Sequence, residues 1–197
     1  MPNTHPAPDH GAWLVQTLPA HRDAVLWKLD GLSEYDARRP LTPTGTNLLG
    51  LVKHLAYVEF GYLGATFGRP ADRQLPAWAD GAEPNDDMYA RADESREEVV
   101  DLYREAWRLG DRTIALGLDT MGRVPHWPEE RAHVDVRFVL GHLVAETARH
   151  AGHADILREL VDGAAGRFQD RDNLPDVDRD WWVAYVAKVQ AAAEAYR

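Results

Sequence analysis

The chain has 197 residues, no cysteine, 45% hydrophobic and 27% charged residues, and a formal charge of -10. That length and composition predict a single globular domain over residues 1–197. The missing cysteine excludes disulfides, thiolate metal ligands and a cysteine nucleophile, and the acidic charge disfavours nucleic acid and anionic lipid as partners.

No stretch approaches the roughly 20 apolar residues that span a bilayer, so no membrane partner is expected. The opening Met1-Pro2-Asn3-Thr4-His5-Pro6 lacks the basic-then-apolar pattern of a signal peptide, which makes cytoplasm the expected location. Nineteen arginines against three lysines read as the codon usage of a GC-rich genome.

Apolar periodicity finds helices and little else. The first is expected from Gly11 to Leu32 on Trp13, Leu14, Leu18, Val25, Leu26 and Leu29, with Pro19 as a kink or a break. Two prolines and a glycine make Arg39–Gly45 a loop, after which Thr46 or Asn47 caps a second helix to about Phe67. Gly61, Gly64 and Gly68 there read as close-packing or terminating positions. A polar connection follows from Gly68 to Asp87, and its Leu75 and Trp78 suggest that it packs over the helices.

A third helix is expected from Asp93 to Leu116, and a second connection from Gly117 to His133. The fourth helix runs from Val134 to Val161 and stops at Asp162-Gly163. After a polar loop to Asp178, a last helix carries Trp181, Trp182, Tyr185, Val186 and Val189. Two adjacent indoles point about 100° apart, which predicts that the helix packs on the bundle, with one indole on the bundle and the other at the rim of a site or against a second copy of the chain. No strand pattern of useful length occurs. The expectation is an all-α fold, a four-helix bundle with long crossover connections and an additional C-terminal helix.

The chemistry lies in the fourth helix. At about 100° per residue, Val139, Leu143, Ala154, Leu157 and Val161 fall within about 40° of His150, and Glu146 lies about 40° away, one turn earlier. A carboxylate and an imidazole so placed face inward together, as a core hydrogen bond or as ligands; this helix alone leaves both open. In the second helix His54 lies beside the stripe of Leu51, Leu55, Val58 and Tyr62. A lone inward histidine is more often a satisfied core residue. A third inward donor on a second helix, however, is what a divalent ion needs to be gripped from two sides. Two His and one carboxylate leave coordination positions open, and by ligand type suit zinc or nickel.

His142 and His153 fall on the flank of the stripe. His142 with Glu146 is a competing pair, but His142 and His150 stand about 12 Å apart along the axis, so one ion cannot take both. His126 and His133 read as surface residues. Neither a glycine-rich phosphate loop nor a Ser/His/Asp signature is present.

Leu41-Thr42-Pro43-Thr44-Gly45-Thr46-Asn47-Leu48-Leu49-Gly50-Leu51-Val52-Lys53-His54-Leu55 resembles the second-helix signature of the DinB-like superfamily, closest to its mycothiol-dependent maleylpyruvate isomerase-like branch. Glu146-Thr147-Ala148-Arg149-His150-Ala151-Gly152-His153-Ala154-Asp155-Ile156-Leu157 resembles the fourth-helix signature. Asn173-Leu174-Pro175 followed by Trp181-Trp182 is similar to the tail of that branch.

The resemblance implies a bundle of the DinB/YfiT-like type, often a homodimer, with a divalent ion on His54, Glu146 and His150. Many relatives have His where this chain has Glu146 and Gln where it has His153, which leaves open whether His153 joins the site. The implied activity is a metal-dependent thiol S-transferase or isomerase. It would use a low-molecular-weight thiol, mycothiol or bacillithiol in a GC-rich bacterium, and an electrophilic small molecule. A metal-dependent hydrolase and a non-catalytic, metal-braced stress-response or binding protein are the alternatives.

Overall fold

The computed structural model describes residues 9–172 and 174–197. The opening segment from which no signal peptide is expected, up to residue 8, lies outside them, and so does Asn173 of the tail signature. Four long helices carry the architecture: α1 (His10–Leu26), α3 (Leu48–Glu59), α4 (Arg96–Ile114) and α6 (Val136–Asp162), with a short α2 (Glu34–Arg38), a one-turn α5 (Glu129–Ala132) and a C-terminal α7 (Arg179–Glu194). α1 packs on α6, α3 packs on α4, and α3 also lies against α6. The expected all-α fold is observed.

Local chemistry sets the boundaries. The Asp9 carboxylate accepts from the amides of Gly11 and Ala12 and so starts α1, which runs through Pro19 without breaking. α1 stops short of the expected Leu32: a 3-10 turn at Trp27–Leu29 and the left-handed Gly31 (φ 73°) turn the chain before Ser33 caps α2. Asn47 is the cap of α3, accepting from Gly50 N at 2.8 Å. Ser95 and Glu98 form a reciprocal capping box at α4, and Asp135 caps α6.

Past Glu59 the third helix loosens into a π turn, Phe60–Gly64, and a 3-10 turn, Ala65–Phe67, before Gly68 ends it. A Cβ on Gly64 would lie 3.0 Å from Leu109, so this glycine lets α4 approach closely.

Two buried clusters make the core. One gathers Leu49, Leu55, Tyr57, Phe60, Tyr103 and Ala106 around α3 and α4; the other gathers Leu18, Leu63, Val139, Leu140 and Leu143 around α1 and α6. Each fully buried leucine contributes roughly 1.5–3 kcal/mol. Between them Arg22, 2% exposed, donates twice to the buried Glu59 (2.6 and 2.8 Å) and once to Asp111 at 2.9 Å.

The second connection carries two short strands: β1 (Met121–Arg123) pairs antiparallel with β2 (His133–Asp135) in the register Met121↔Asp135, Gly122↔Val134 and Arg123↔His133. Three residues are too few to display an alternation. One sequence expectation needs correction: α7 does not pack on the bundle, because no residue of it is buried. Trp181 instead stacks on Tyr185 (centroids 5.1 Å apart, planes at 7°), and Trp182 meets both rings edge-on. The aromatic residues cover one another along their own helix.

The first connection does pack over the bundle. Trp78 sits edge-on to Tyr57 at 5.3 Å, and Leu75 and Met88 pack against the α3–α4 core. The residues that follow it are pinned to α3, where buried Lys53 donates to Tyr89 O (3.0 Å) and to Glu94 (2.8 Å). No described helix is long and apolar enough to cross a membrane.

Candidate metal centre

α3 and α6 face each other where His54 looks toward the middle of α6. The structure brings His54, Glu146 and His150 together, with one donor atom of each lying within 4.8 Å of the others. Glu146 Oε1 is 3.1 Å from His150 Nε2 and 3.7 Å from His54 Nε2, and the two imidazoles meet edge-on with centroids 4.9 Å apart. The three side chains are 21, 29 and 12% exposed, so the cluster opens at the edge of the core instead of lying sealed within it.

Sequence periodicity missed Asp87. Its Oδ2 lies 2.7 Å from His54 Nδ1, a contact that turns Nε2 toward Glu146. Carboxylate, imidazole and ligand position thus stand in the order usual around bound metals. Asp87 closes an aperiodic connection, and only its acidity could have drawn notice.

The charges are matched. The hydrogen bond from His54 holds Asp87 below its ordinary pKa. Burial works against ionising Glu146, yet the charge and hydrogen bond of His150, with His54 behind them, keep its carboxyl low. Burial first, then the charge of His54, push His150 down and favour the neutral imidazole that ligates metals.

The remaining histidines separate. His142 lies against the Tyr62 ring (4.4 Å) and outside the cluster. His153 is exposed, with its Nδ1 3.4 Å from His150 Nδ1, beside the cluster and outside the three donors. His133 and His126 are exposed, as expected. His126 nevertheless lines a cleft of about 570 Å³ that opens on His54 and Asp87.

Residues 13–163, which include all three donors and Asp87, match the family model of mycothiol-S-transferase. The chain belongs to the mycothiol-S-transferase family. This places it in the DinB-like superfamily that its helix signatures resemble. No curated protein matches it. In this mycothiol-S-transferase family member the cluster is half-open, and His54 is the member of it that also lines the cleft.

Proposed function

We propose that this protein is a divalent-metal-dependent thiol S-transferase or isomerase, with the ion on His54, Glu146 and His150. The observation that carries the reading is the convergence of these donors from two helices. On a tetrahedral ion with bonds of about 2.1 Å, neighbouring ligand atoms lie about 3.4 Å apart. The contacts of Glu146 with His150 and His54, 3.1 and 3.7 Å, bracket that spacing. Two nitrogens and a carboxylate oxygen suit zinc or nickel and leave positions for an exogenous ligand.

When bound, such an ion lowers the pKa of a coordinated thiol and favours the thiolate. The protein's own groups orient the site. Asp87 fixes the ring of His54, Glu146 supplies negative charge, and neutral His150 completes the triangle. With no cysteine of its own, the chain has no thiol to compete with mycothiol or bacillithiol, the cosubstrates to which the family points. We place the reaction in the cytoplasm, where low-molecular-weight thiols are held reduced.

The test is anaerobic titration of the cobalt-substituted protein with mycothiol and with bacillithiol. A sulfur-to-cobalt charge-transfer band supports the reading. A spectrum that answers to hydroxide alone points instead to a hydrolase, and one that answers to neither indicates an ion that only braces the bundle.

A further inference from the structure

The cleft beside the donor cluster is walled mostly by aromatic and apolar groups, with His54 and Asp87 at one side. Tyr57, Tyr62, Trp78 and His126 surround it, with Val58 of α3 and Gly61 of the π turn as its floor. Trp78 stands edge-on to Tyr57 (84°), and His126 edge-on to Tyr62 with centroids 5.8 Å apart. The floor is shaped for the indole: a Cβ on Gly61 would meet Trp78 Cη2 at 3.0 Å, so the ring rests over bare backbone. The π turn at Phe60–Gly64 falls here, as such distortions often do beside functional sites. Trp78 keeps 50% of its surface exposed, which leaves apolar area for an occupant to cover.

Charge narrows the occupant further. Among the described residues no lysine or arginine lines the cleft, and its one formal charge, Asp87, is engaged by His54. The nearby Lys53 is buried and paired with Glu94. A carboxylate placed here would lose water, find no lysine or arginine and face Asp87, and the ion proposed on His54, Glu146 and His150 would already be balanced by Glu146 and the bound thiolate. A cleft of this volume and lining takes a small apolar molecule held by aromatic contacts.

We propose that the cleft binds the electrophilic substrate, and that this substrate is an uncharged aromatic compound. The inference rests on the thiol-transferase reading.

The test uses the full chain, stripped of metal by a chelator so that a carboxylate has no ion to ligate, with unreactive probes and no thiol: 1-acetylnaphthalene as the uncharged ligand and 1-naphthoate as an anion on the same frame. Binding is read by calorimetry and tryptophan quenching. The uncharged probe should bind at least tenfold more tightly than naphthoate. Trp78→Ala should weaken it tenfold or more with the circular dichroism spectrum unchanged. Val58→Arg, which places a cation on the floor, should shift the preference at least tenfold toward naphthoate and serves if the tryptophan variant does not fold. Equal or tighter binding of naphthoate to the unaltered protein overturns the proposal, as does a folded Trp78→Ala that binds normally or a Val58→Arg that leaves the preference unchanged. Because no thiol is present, these outcomes are separate from the cobalt titration, which alone judges the thiol reading.

Discussion

His54 Nδ1 and Asp87 Oδ2 are 2.7 Å apart, joining the centre of α3 to a connection that has no helical periodicity of its own. If His54 is a ligand, this contact fixes its tautomer and aim. Asp87→Ala should then weaken metal binding roughly 10- to 100-fold, measured by competition with a chromophoric chelator. Unaltered affinity would remove Asp87 from the site.

Asp87 is held in place by a glycine. A Cβ on Gly50 would run into the Met88 carbonyl, so the connection lies directly on the backbone of α3. Gly50→Ala should therefore cost about 1–3 kcal/mol of stability and lower metal affinity at the same time. A lower melting temperature with full affinity would show that Asp87 keeps its position without this contact.

The buried Arg22–Glu59 pair makes a prediction distant from the site. Glu59→Leu leaves the buried guanidinium only its hydrogen bond to the exposed Asp111 and should cost about 3 kcal/mol, read from urea midpoints. Replacing both residues, Arg22→Met with Glu59→Leu, should recover most of that loss. If the double variant is no better than the single, the arginine was not the source of the cost.

Arg158 donates to Asp162 at 2.7 Å and holds its carboxyl below the ordinary value of 3.8. A depressed folded pKa gives stability that is complete above the unfolded pKa and is lost as pH falls through the folded one. Asp162→Asn should lower the melting temperature by roughly 1–3 °C at pH 7, since the pair is partly exposed. The gap to the unaltered protein should close as pH drops below 3.8. A gap that widens in acid would reverse the assignment.

α7 buries none of its residues, so removal of residues 178–197 should change the melting temperature by no more than about 2 °C. A drop well beyond that, with a change of mass in solution, would mean that its aromatic face is covered by another molecule.

The long helices and the convergence of His54, Glu146 and His150 are legible because helical period and burial carry the same information. Leu143 and Leu157 mark the face on which His150 lies, and Leu51 and Val58 mark that of His54. Asp87 was not legible, because its position depends on how a connection drapes over α3 and no period encodes that. The π turn at Phe60–Gly64 is equally silent, since two glycines in a helix suit close packing as well as a change of winding. Trp181 and Trp182 misled for another reason. Hydrophobicity predicts burial against something, yet it does not exclude neighbours one turn along the same helix.

His54 lies in the first third of the chain, and Glu146 and His150 lie roughly 90 residues later. Anything that grips all three ties together two distant points of the chain and closes a long loop, a constraint the unfolded chain would not share. Ion release and unfolding then become linked equilibria, and loading at a hundredfold excess over the dissociation constant raises stability by about 2.7 kcal/mol. Heat resistance would follow the supply of metal, so variants of this protein compare fairly only at equal occupancy.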